Sequence, residues 1–395
     1  MVADGYKDTE IGVIPVEWDV VNFKNFFSSV GAKKYQVQKS NYLKNGSYPI
    51  IDQGQKFIVG YSDEDDKVYK NTNGVVVFGD HTRIIKFIDF DFVVGADGTQ
   101  LLKSSDGVNQ KFSYYVLSNK ELTNLGYSRH FKLVKEMKFP LPPLKEQEKI
   151  ADILSTADDK IDAIAIQIEK AQTLKKGLLQ KLLSEGIGHS EFKDSELGKI
   201  PLSWEVIELN DLCSKIVGGG TPNSKIDDYW KNGTIYWATV KDMDNSKYLS
   251  KTQDTITDLG LKNSSANLIP ANSIITATRM GLGRFFINTV DMAINQDLKA
   301  LVLKGMYDKN FIFWSLISKS DLILSLGTGT TVKGIRLEEF RSIKFTIPPL
   351  EEQKQIAEIL STADEKIEVL RAKKEKYETL KTGLLQKLLS GEVRV

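Results

Sequence analysis

One segment of 43 residues is written twice in this chain, and it limits the possible folds more than any other feature. "PPLKEQEKIADILSTADDKI" begins at Pro142, and "PPLEEQKQIAEILSTADEKI" begins at Pro348. Residues 142–184 align with residues 348–390 without a gap, and 28 of the 43 positions are identical. A repeat of this kind indicates that one structural unit is used twice.

A weaker repeat precedes each copy. "TEIGVIPVEWDVV" from Thr9 matches "SELGKIPLSWEVI" from Ser195. The offsets of the two repeats are 186 and 206 residues, so the second half carries 20 more residues between them. The intervening regions consist of short strand-like runs separated by Gly, Asn and Asp turns, with a few helical stretches. We therefore expect two mixed α/β globules of one fold with different surfaces.

The long repeat has the apolar spacing of a helix. Its apolar residues recur at alternating steps of three and four, which is the heptad seam of a coiled coil. The seam residues are Ile150, Leu154, Ala157, Ile161, Ile164, Ile168, Ala171, Leu178 and Leu182, then Ile356, Leu360, Ala363, Ile367, Leu370, Tyr377, Leu384 and Leu388. Lys175 interrupts the first copy, and Lys374 and Lys381 interrupt the second. About 40 residues at roughly 1.5 Å each predict rods of about 60 Å.

The ends of the predicted helices are marked by Pro and Gly. Each helix should begin close behind its paired prolines, and Gly186, Gly188 and Gly391 should end the helices. A lone helix would leave its seam exposed, so we expect the two copies to pack on each other. The predicted fold is mixed α/β (α+β), with two globules separated by two antiparallel helices that form a coiled coil with pseudo-two-fold symmetry. The second helix should then end near the start of the chain.

This symmetry gives the predicted domain boundaries. The first globule spans 1–141, the first long helix 142–188, the second globule 189–347 and the second long helix 348–395.

Composition excludes several classes of protein. The first 25 residues lack the pattern of a signal peptide and no run of about 18 apolar residues occurs, so we expect a cytoplasmic protein without a membrane span. Cys213 is the single cysteine, which excludes internal disulfides and predicts a small buried side chain. The 53 basic and 52 acidic residues give a net charge of +1, so bulk charge does not indicate a nucleic-acid binder.

The sequence carries no catalytic constellation. No Gly-x-Ser-x-Gly, Walker-type loop or Asn-Pro-Pro-aromatic motif occurs, and the three histidines lack metal-ligand spacing. "VGGGTPNSK" from Val217 and "GTGTTVKG" from Gly327 resemble phosphate loops without the full spacing of a nucleotide site. Each loop is open to two interpretations: a tight or mobile turn, or backbone N–H groups that contact a phosphodiester together with Lys225 or Lys333.

Polar residues recur at comparable places in the two halves and suit base reading. Arg can pair with two acceptors of guanine, and Gln or Asn with adenine. For any single residue a surface salt bridge or a hydrogen-bonded turn is the commoner explanation. Only the recurrence at comparable places favours base reading for the group as a whole. The candidates are His81, Arg83, Thr99, Gln100, Tyr127, Ser128, Arg129, His130 and Lys132 in the first half, and Thr221, Lys225, Arg279, Arg284, Asn295, Gln296, Lys333 and Arg336 in the second.

The order globule, "PPLxEQxxIAxILSTAD" helix, globule, same helix resembles the specificity subunit of type I restriction-modification systems along essentially the whole chain. "GGGTPNSKIDDYWKNGTIYWATVKDM" from Gly218 is typical of a target-recognition domain in that family. The first globule departs from the family pattern, because it lacks the Gly-Gly-Thr-Pro opening. The resemblance implies a non-catalytic chain whose two globules each read one half of an asymmetric, bipartite DNA site.

The resemblance also implies partners. The helices would set the gap between the half-sites and receive two methyltransferase subunits, and restriction subunits would join through the complex. The chain itself would bind no cofactor, while S-adenosylmethionine, ATP and Mg²⁺ would belong to the partners. We expect subunit contacts at Gln147, Lys175, Gln353, Lys374 and Lys381. The near-neutral charge fits, because partner subunits can supply affinity while this chain discriminates bases.

A different class of function is a coiled-coil adaptor whose two globules bind proteins. Sequence-selective DNA binding in the presence of a methyltransferase partner would distinguish the two. A nuclease or methyltransferase in its own right is disfavoured by the missing motifs.

Overall fold

The computed structural model describes residues 4–95, 97–124, 126, 128–244, 246–329 and 333–395. It divides into two compact units: unit 1 contains Met1–Ile166 and Ala372–Val395, and unit 2 contains Gln167–Arg371. Each unit therefore combines one globule with parts of two long helices. The mixed α/β class and the presence of two long helices are confirmed.

The globule of unit 1 holds two four-stranded sheets, in the strand orders β6-β5-β10-β7 and β4-β11-β8-β9, and the two-stranded pairs β1-β2 and β12-β3. Its strands are β1 (Tyr6–Thr9), β2 (Gly12–Pro15), β3 (Asp19–Asn22), β4 (Phe27–Val30), β5 (Tyr48–Ile51), β6 (Gly60–Ser62), β7 (Val68–Tyr69), β8 (Val75–Gly79), β9 (Ile85–Ile88), β10 (Phe92–Val94), β11 (Thr99–Ser104) and β12 (Lys138–Leu141). Its helices are α1 (Phe23–Phe26), α2 (Gln110–Ser118) and α3 (Phe131–Glu136), with short 3₁₀ helices at Ala32–Tyr35, Lys39–Asn41 and Asp65–Lys67. The first long helix, α4 (Leu144–Ser184), follows.

The globule of unit 2 has a related plan with a five-stranded sheet, β16-β24-β21-β22-β18, a four-stranded sheet, β19-β17-β23-β20, and the pairs β13-β14 and β15-β25. Its strands are β13 (Phe192–Ser195), β14 (Gly198–Pro201), β15 (Glu205–Glu208), β16 (Cys213–Gly218), β17 (Ile235–Ala238), β18 (Tyr248–Leu249), β19 (Asp254–Ile256), β20 (Leu268–Ile269), β21 (Ile274–Ala277), β22 (Phe285–Asn288), β23 (Met292–Ile294), β24 (Leu298–Leu303) and β25 (Lys344–Ile347). Its helices are α5 (Leu209–Leu212), α6 (Asp258–Lys262), α7 (Lys309–Ser318), α8 (Ser320–Ser325) and α9 (Leu337–Arg341), with 3₁₀ helices at Asp227–Tyr229 and Val240–Asp242. The second long helix, α10 (Leu350–Leu389), follows.

A fully buried strand lies inside one sheet of each globule, with a paired strand on either side. β8 reads "VVVFG" and β21 reads "IITA", and every residue of both strands is buried. Such continuous apolar runs of β-branched residues fit a strand that is covered on both faces. Each strand pairs with neighbours on both sides, β8 with β9 and β11, and β21 with β22 and β24. Cys213 is buried as predicted, and burial raises the pKa of its thiol to about 12.

The long helices begin and end where the Pro and Gly signals predict. Gly186, Gly188 and Gly391 follow the helix ends and have positive φ angles of 68°, 71° and 74°, which a left-handed cap requires. None of the described helices combines the length and apolar character needed to cross a membrane.

Within each unit, the start of one long helix packs beside the end of the other. In unit 1, Ile150 and Leu154 of α4 share a core with Leu388 of α10. In unit 2, Leu182 of α4 shares a core with Ile356 and Leu360 of α10. The paired segments therefore run antiparallel in both units, as the predicted pseudo-two-fold arrangement requires.

A glutamate carboxylate, buried at Glu146 and half-buried at Glu352, fixes the start of each long helix to its globule. In unit 1, Trp18 Nε1 donates a hydrogen bond to Glu146 Oε2 at 3.0 Å. In unit 2, Trp204 Nε1 donates to Glu352 Oε2 at 3.0 Å. Both pairs join the shorter repeat to the "EQ" of the longer one, so the two repeats of the sequence meet at one junction.

The glutamines that follow these glutamates complete the junction. Gln147 accepts from Asn109 N at 2.8 Å and donates to Pro142 O at 2.8 Å. Gln353 accepts from Asp308 N at 2.9 Å and donates to Pro348 O at 2.8 Å. The acceptor contacts reach the residue that caps α2 or α7, so each amide connects the long helix to a helix of the globule.

The C-terminal tail closes unit 1 against the start of the chain. Tyr6 Oη donates to Gly391 O at 3.0 Å. Arg394 Nε lies 2.6 Å from Glu146 Oε1, and its Nη2 lies 2.6 Å from Glu17 Oε2. These hydrogen bonds raise the pKa of the Arg394 guanidinium. The prediction that the second helix ends near the leading segment is confirmed.

We predict that Glu146→Gln destabilises unit 1 by about 1–3 kcal/mol, because the amide keeps one acceptor for Trp18 but turns a donor toward Arg394. Glu352→Gln should weaken unit 2 in the same way. Urea unfolding monitored by tryptophan fluorescence measures both changes. Glu148→Gln, exposed on the same turn of α4, is the matched control. If Glu146→Gln unfolded at the same urea concentration as Glu148→Gln, the junction would not carry this stability.

Candidate functional site

Four loops meet at the end of β21 in unit 2. We call this surface edge 2, and it consists of residues 218–221, 278–284, 294–297 and 333–336. Thr278 N donates to Asp297 O at 2.8 Å, and Ile335 N donates to Thr278 O at 3.0 Å. Gly220 N donates to Ile294 O at 3.0 Å. These backbone bonds hold side chains from distant parts of the sequence on one surface.

The same frame recurs in unit 1 as edge 1: residues 52–54, 79–83, 95, 97–100 and 128–132. Asp80 N donates to Gly98 O at 2.7 Å, and His130 N donates to Asp80 O at 2.9 Å. By these bonds Asp80 corresponds to Thr278, and Gly98 corresponds to Asp297. The polar residues singled out in the sequence therefore lie mostly on two equivalent edges whose side chains differ.

Edge 1 holds its predicted residues at different depths. Arg129 and Lys132 are exposed, while His81, Arg83 and Gln100 are half-buried. Thr99 is buried, and His130 is fully buried with Nδ1 3.0 Å from Asp80 O. Burial gives Thr99 and His130 a role inside the globule and leaves the basic pair Arg129 and Lys132 to face solvent. Ser128 is half-buried, and Tyr127 lies outside the described residues.

One residue that the sequence reasoning missed organises edge 1. Gln53 accepts a hydrogen bond from His81 N at 3.1 Å and donates to Asp97 O at 2.6 Å. Its own carbonyl accepts from Thr82 Oγ1 at 2.5 Å. The available signal was the polar turn "DQGQ" directly after the strand-like run "YPII" of β5.

Edge 2 brings several predicted residues into contact. Thr221 Oγ1 donates to Gln296 Oε1 at 2.5 Å. Arg279 Nη1 lies 3.5 Å from Asp297 Oδ1, an acid that the sequence reasoning did not single out. Asn295 is buried, whereas Lys225 and Arg336 are exposed.

The glycine run before Thr221 is a tight packing element. A Cβ atom at Gly219 would lie 1.9 Å from Ile294 O, and one at Gly220 would lie 2.1 Å from Ser265 Oγ. Of the two interpretations of this loop, the structure favours the tight turn, which places Thr221 beside Gln296. In the other loop, residues 330–332 lie outside the described part of the chain, and Lys333 is exposed.

Backbone strain occurs in the loops that follow β8 and β21. Among the described residues, the non-glycine positions with positive φ are Arg83, Met280, Asn232 and Asn272. Asparagine tolerates this conformation, but for Arg and Met it costs on the order of 1–3 kcal/mol. Arg83 (φ 62°) follows β8 and Met280 (φ 56°) follows β21. Strain at related places in both globules is typical of functional loops.

A basic pocket opens on edge 2. It has a volume of about 570 Å³, and Arg284, Lys333 and the exposed Met280 line it. The described residues that line the pocket include no acid. Its chemistry therefore suits an anion such as a phosphodiester group.

Two of the three lysines that interrupt the helix seam pair with acids of the chain's other long helix. In unit 1, Lys381 Nζ lies 2.5 Å from Asp158 Oδ1. In unit 2, Lys175 pairs with Asp364. The two pairs are one contact used twice, because both the acids and the lysines are related by the 206-residue offset.

The five residues expected to contact other subunits thus have partners within this chain. Gln147 and Gln353 are buried at the junctions, and Lys374 Nζ lies 3.0 Å from Glu378 Oε1 on the same helix. Exposed apolar side chains offer a better surface for a protein partner. On the long helices these include Ile166, Leu174, Ile359, Val369 and Leu380. These five residues lie outside the heptad seam. Their position off the seam was the signal available in the sequence.

No group of three or more potential metal ligands occurs among the described residues.

Comparison with known proteins gives one consistent result. The family model described as "Type I restriction modification DNA specificity domain" matches residues 15–173 and 201–379. Each match covers a globule together with much of the long helix that follows it, so the matches follow the internal repeat.

Two relatives from Methanocaldococcus jannaschii match over nearly their whole length. The chain is 30% identical to the putative type I restriction enzyme MjaX specificity subunit, covering 99% of this chain and 97% of the relative. It is 29% identical to the type I restriction enzyme MjaVIII specificity subunit, covering 99% and 96%. Among solved structures, the S subunit of a type I restriction-modification system from M. genitalium has the same fold, with a TM-score of 0.64 at 16% identity, covering 94% of this chain and 96% of that one.

Proposed function

The chain belongs to the type I restriction-modification DNA specificity family, and from this premise we propose that it reads DNA sequence for a complex whose chemistry lies in other subunits. One observation carries the proposal. Edges 1 and 2 share a backbone frame, yet they present different side chains. Two equivalent readers with different surfaces suit a DNA site made of two unlike half-sites.

The two halves share the contacts that join globule and helix, but their globules differ, and this contrast supports the proposed function. The junction contacts of Trp18 with Glu146 and of Trp204 with Glu352 are the same in both units. The two halves of the chain differ in sequence mainly in the globules, where base contacts would be made. We propose that the globules 1–141 and 189–347 are the target-recognition domains, and that the helices 142–188 and 348–395 set the gap between the half-sites.

The exposed apolar residues of the helices support protein partners. We propose two methyltransferase subunits as partners, with restriction subunits joining through the assembled complex. S-adenosylmethionine, ATP and Mg²⁺ would then be bound by these partners. Because such a complex would act on cellular DNA, we propose that it works in the cytoplasm. For DNA contacts we propose the exposed residues Arg129, Lys132, Thr221, Lys225, Arg279, Arg284, Gln296, Lys333 and Arg336.

The proposed function is tested by mapping methylated bases in cells that produce this chain with its methyltransferase partner. We expect methylation at one bipartite, asymmetric sequence, with no such methylation when the methyltransferase is produced alone. Methylation that is independent of this chain, or confined to an uninterrupted symmetric site, would contradict the proposal and favour a protein-binding adaptor.

We predict that Arg284→Ala and Lys333→Ala each weaken DNA binding by the assembled complex about equally at all sequences. Each change removes one cation from the basic pocket, so the slope of log affinity against log salt should fall by about 0.9 per lost phosphate contact. DNA-binding isotherms at several salt concentrations measure this slope. Lys304→Ala is the matched control, because Lys304 follows the end of β24 opposite edge 2. Equal slopes for wild type and both pocket variants would exclude phosphate binding there.

The helices provide a second test. Four residues inserted after Ile166 and after Ala372, which are equivalent by the 206-residue offset, lengthen each helix by about 6 Å and rotate its end by about 40°. At about 3.4 Å per base pair, the gap between the half-sites should grow by about two base pairs. Methylation mapping reads the gap directly. An active variant complex with an unchanged gap would show that the helices do not set the spacing.

A further inference from the structure

An ion pair on edge 2 has one buried and one exposed member. Asp297 is the buried member, with 12% of its side chain exposed, and Arg279 is the open member, with 56% exposed. Asn295 Nδ2 lies 3.2 Å from Asp297 Oδ2, and Asp297 N donates to Asn295 Oδ1 at 3.1 Å. The carboxylate is therefore held by Asn295 on one oxygen and faces Arg279 with the other.

This arrangement prepares Arg279 to bind a planar pair of acceptors. A guanidinium has five donors, and the contact at 3.5 Å with Asp297 engages one end of the group. Restricting a long side chain before binding reduces the entropy that is lost on binding. The O6 and N7 atoms of guanine form the acceptor pair that arginine recognises in the major groove.

The neighbouring Gln296 is held in a similar way. Thr221 Oγ1 donates to Gln296 Oε1 at 2.5 Å, and both residues are exposed. The hydroxyl orients the amide, while Oε1 keeps a second lone pair and Nε2 keeps its donors. An amide in this orientation can accept from N6 and donate to N7 of adenine. The tight packing of Gly219 and Gly220 fixes Thr221 in this place.

Edge 1 carries other residues at the positions of Arg279 and Asp297. The backbone bonds that match Asp80 with Thr278 place His81 at the position of Arg279 and Gly98 at the position of Asp297. Asp97 of edge 1 accepts from Gln36 Nε2 at 3.0 Å instead of facing an arginine. The chemistry of the held arginine therefore belongs to the second globule.

Resting on the proposed DNA-reading function, the geometry points to specific bases: Arg279, positioned by Asp297, reads a guanine, and Gln296, positioned by Thr221, reads an adenine in the half-site of the second globule. Asp297 and Thr221 are positioning residues that act through their neighbours. Arg279 and Gln296 are the specificity-determining residues.

The test is methylation mapping with the full chain, its methyltransferase partner and one substitution at a time. Asp297→Asn should relax the requirement for G·C at one position of one half-site by about tenfold or more. Arg279→Lys should relax the same position, since lysine cannot make the two-pronged contact. Thr221→Val and Gln296→Ala should relax one A·T position in that same half-site. The half-site read by the first globule should stay unchanged in every variant.

Two features of the design keep the outcomes separable. The unchanged half-site reports that each variant complex has folded and assembled. Asp291→Asn is the matched control, because Asp291 precedes β23 whereas edge 2 follows this strand. A full G·C requirement in Asp297→Asn would overturn the inference. A uniform loss of methylation without any change of sequence would also overturn it, because that is the signature of a phosphate contact. Chain-independent methylation in the wild type would instead remove the proposed function itself.

Discussion

The hydrogen bond from a buried tryptophan to the glutamate at the start of each long helix is the contact on which the rest of this structure depends. A carboxylate is costly to bury unless its oxygens are satisfied. Glu146 meets this requirement with Trp18 and Arg394, and Glu352 meets it with Trp204 and His189. Since neither glutamate can be buried stably without its tryptophan, the start of each long helix has one favourable position against its globule. The edges that would meet DNA are thereby held in a fixed relation to the helix.

Much of the architecture could be predicted from the sequence because the helices have a strong local signal. The heptad seam, the paired prolines and Gly391 gave the long helices and their ends. The role of Lys175 and Lys381 was not predictable, since a lysine in the seam appears only as a break in the pattern. The acids that pair with them, Asp364 and Asp158, lie far away in sequence, and only the antiparallel packing brings them within reach.

The candidate site was only partly predictable, because a sequence motif does not show which of its side chains are buried. "GYSRHFK" presents Arg129, His130 and Lys132 as one basic cluster, yet the fold buries His130 and leaves Arg129 and Lys132 exposed. Asp297 was missed because nothing in its local sequence distinguishes it. An aspartate after "NQ" is an ordinary turn residue in sequence, and its meaning depends on Arg279, which arrives from a different strand.

The discontinuous composition of unit 1 has a consequence for the order of folding on the ribosome. Unit 2 is a single stretch, Gln167–Arg371, whereas unit 1 needs Met1–Ile166 and also the final segment Ala372–Val395. The globule that is synthesised first is therefore completed last. At ordinary translation rates of about 5–20 residues per second, the seam residues Ile150 and Leu154 wait on the order of 10–50 s for Leu388 to emerge. During that interval the nascent chain carries an apolar helix face that a chaperone could shield.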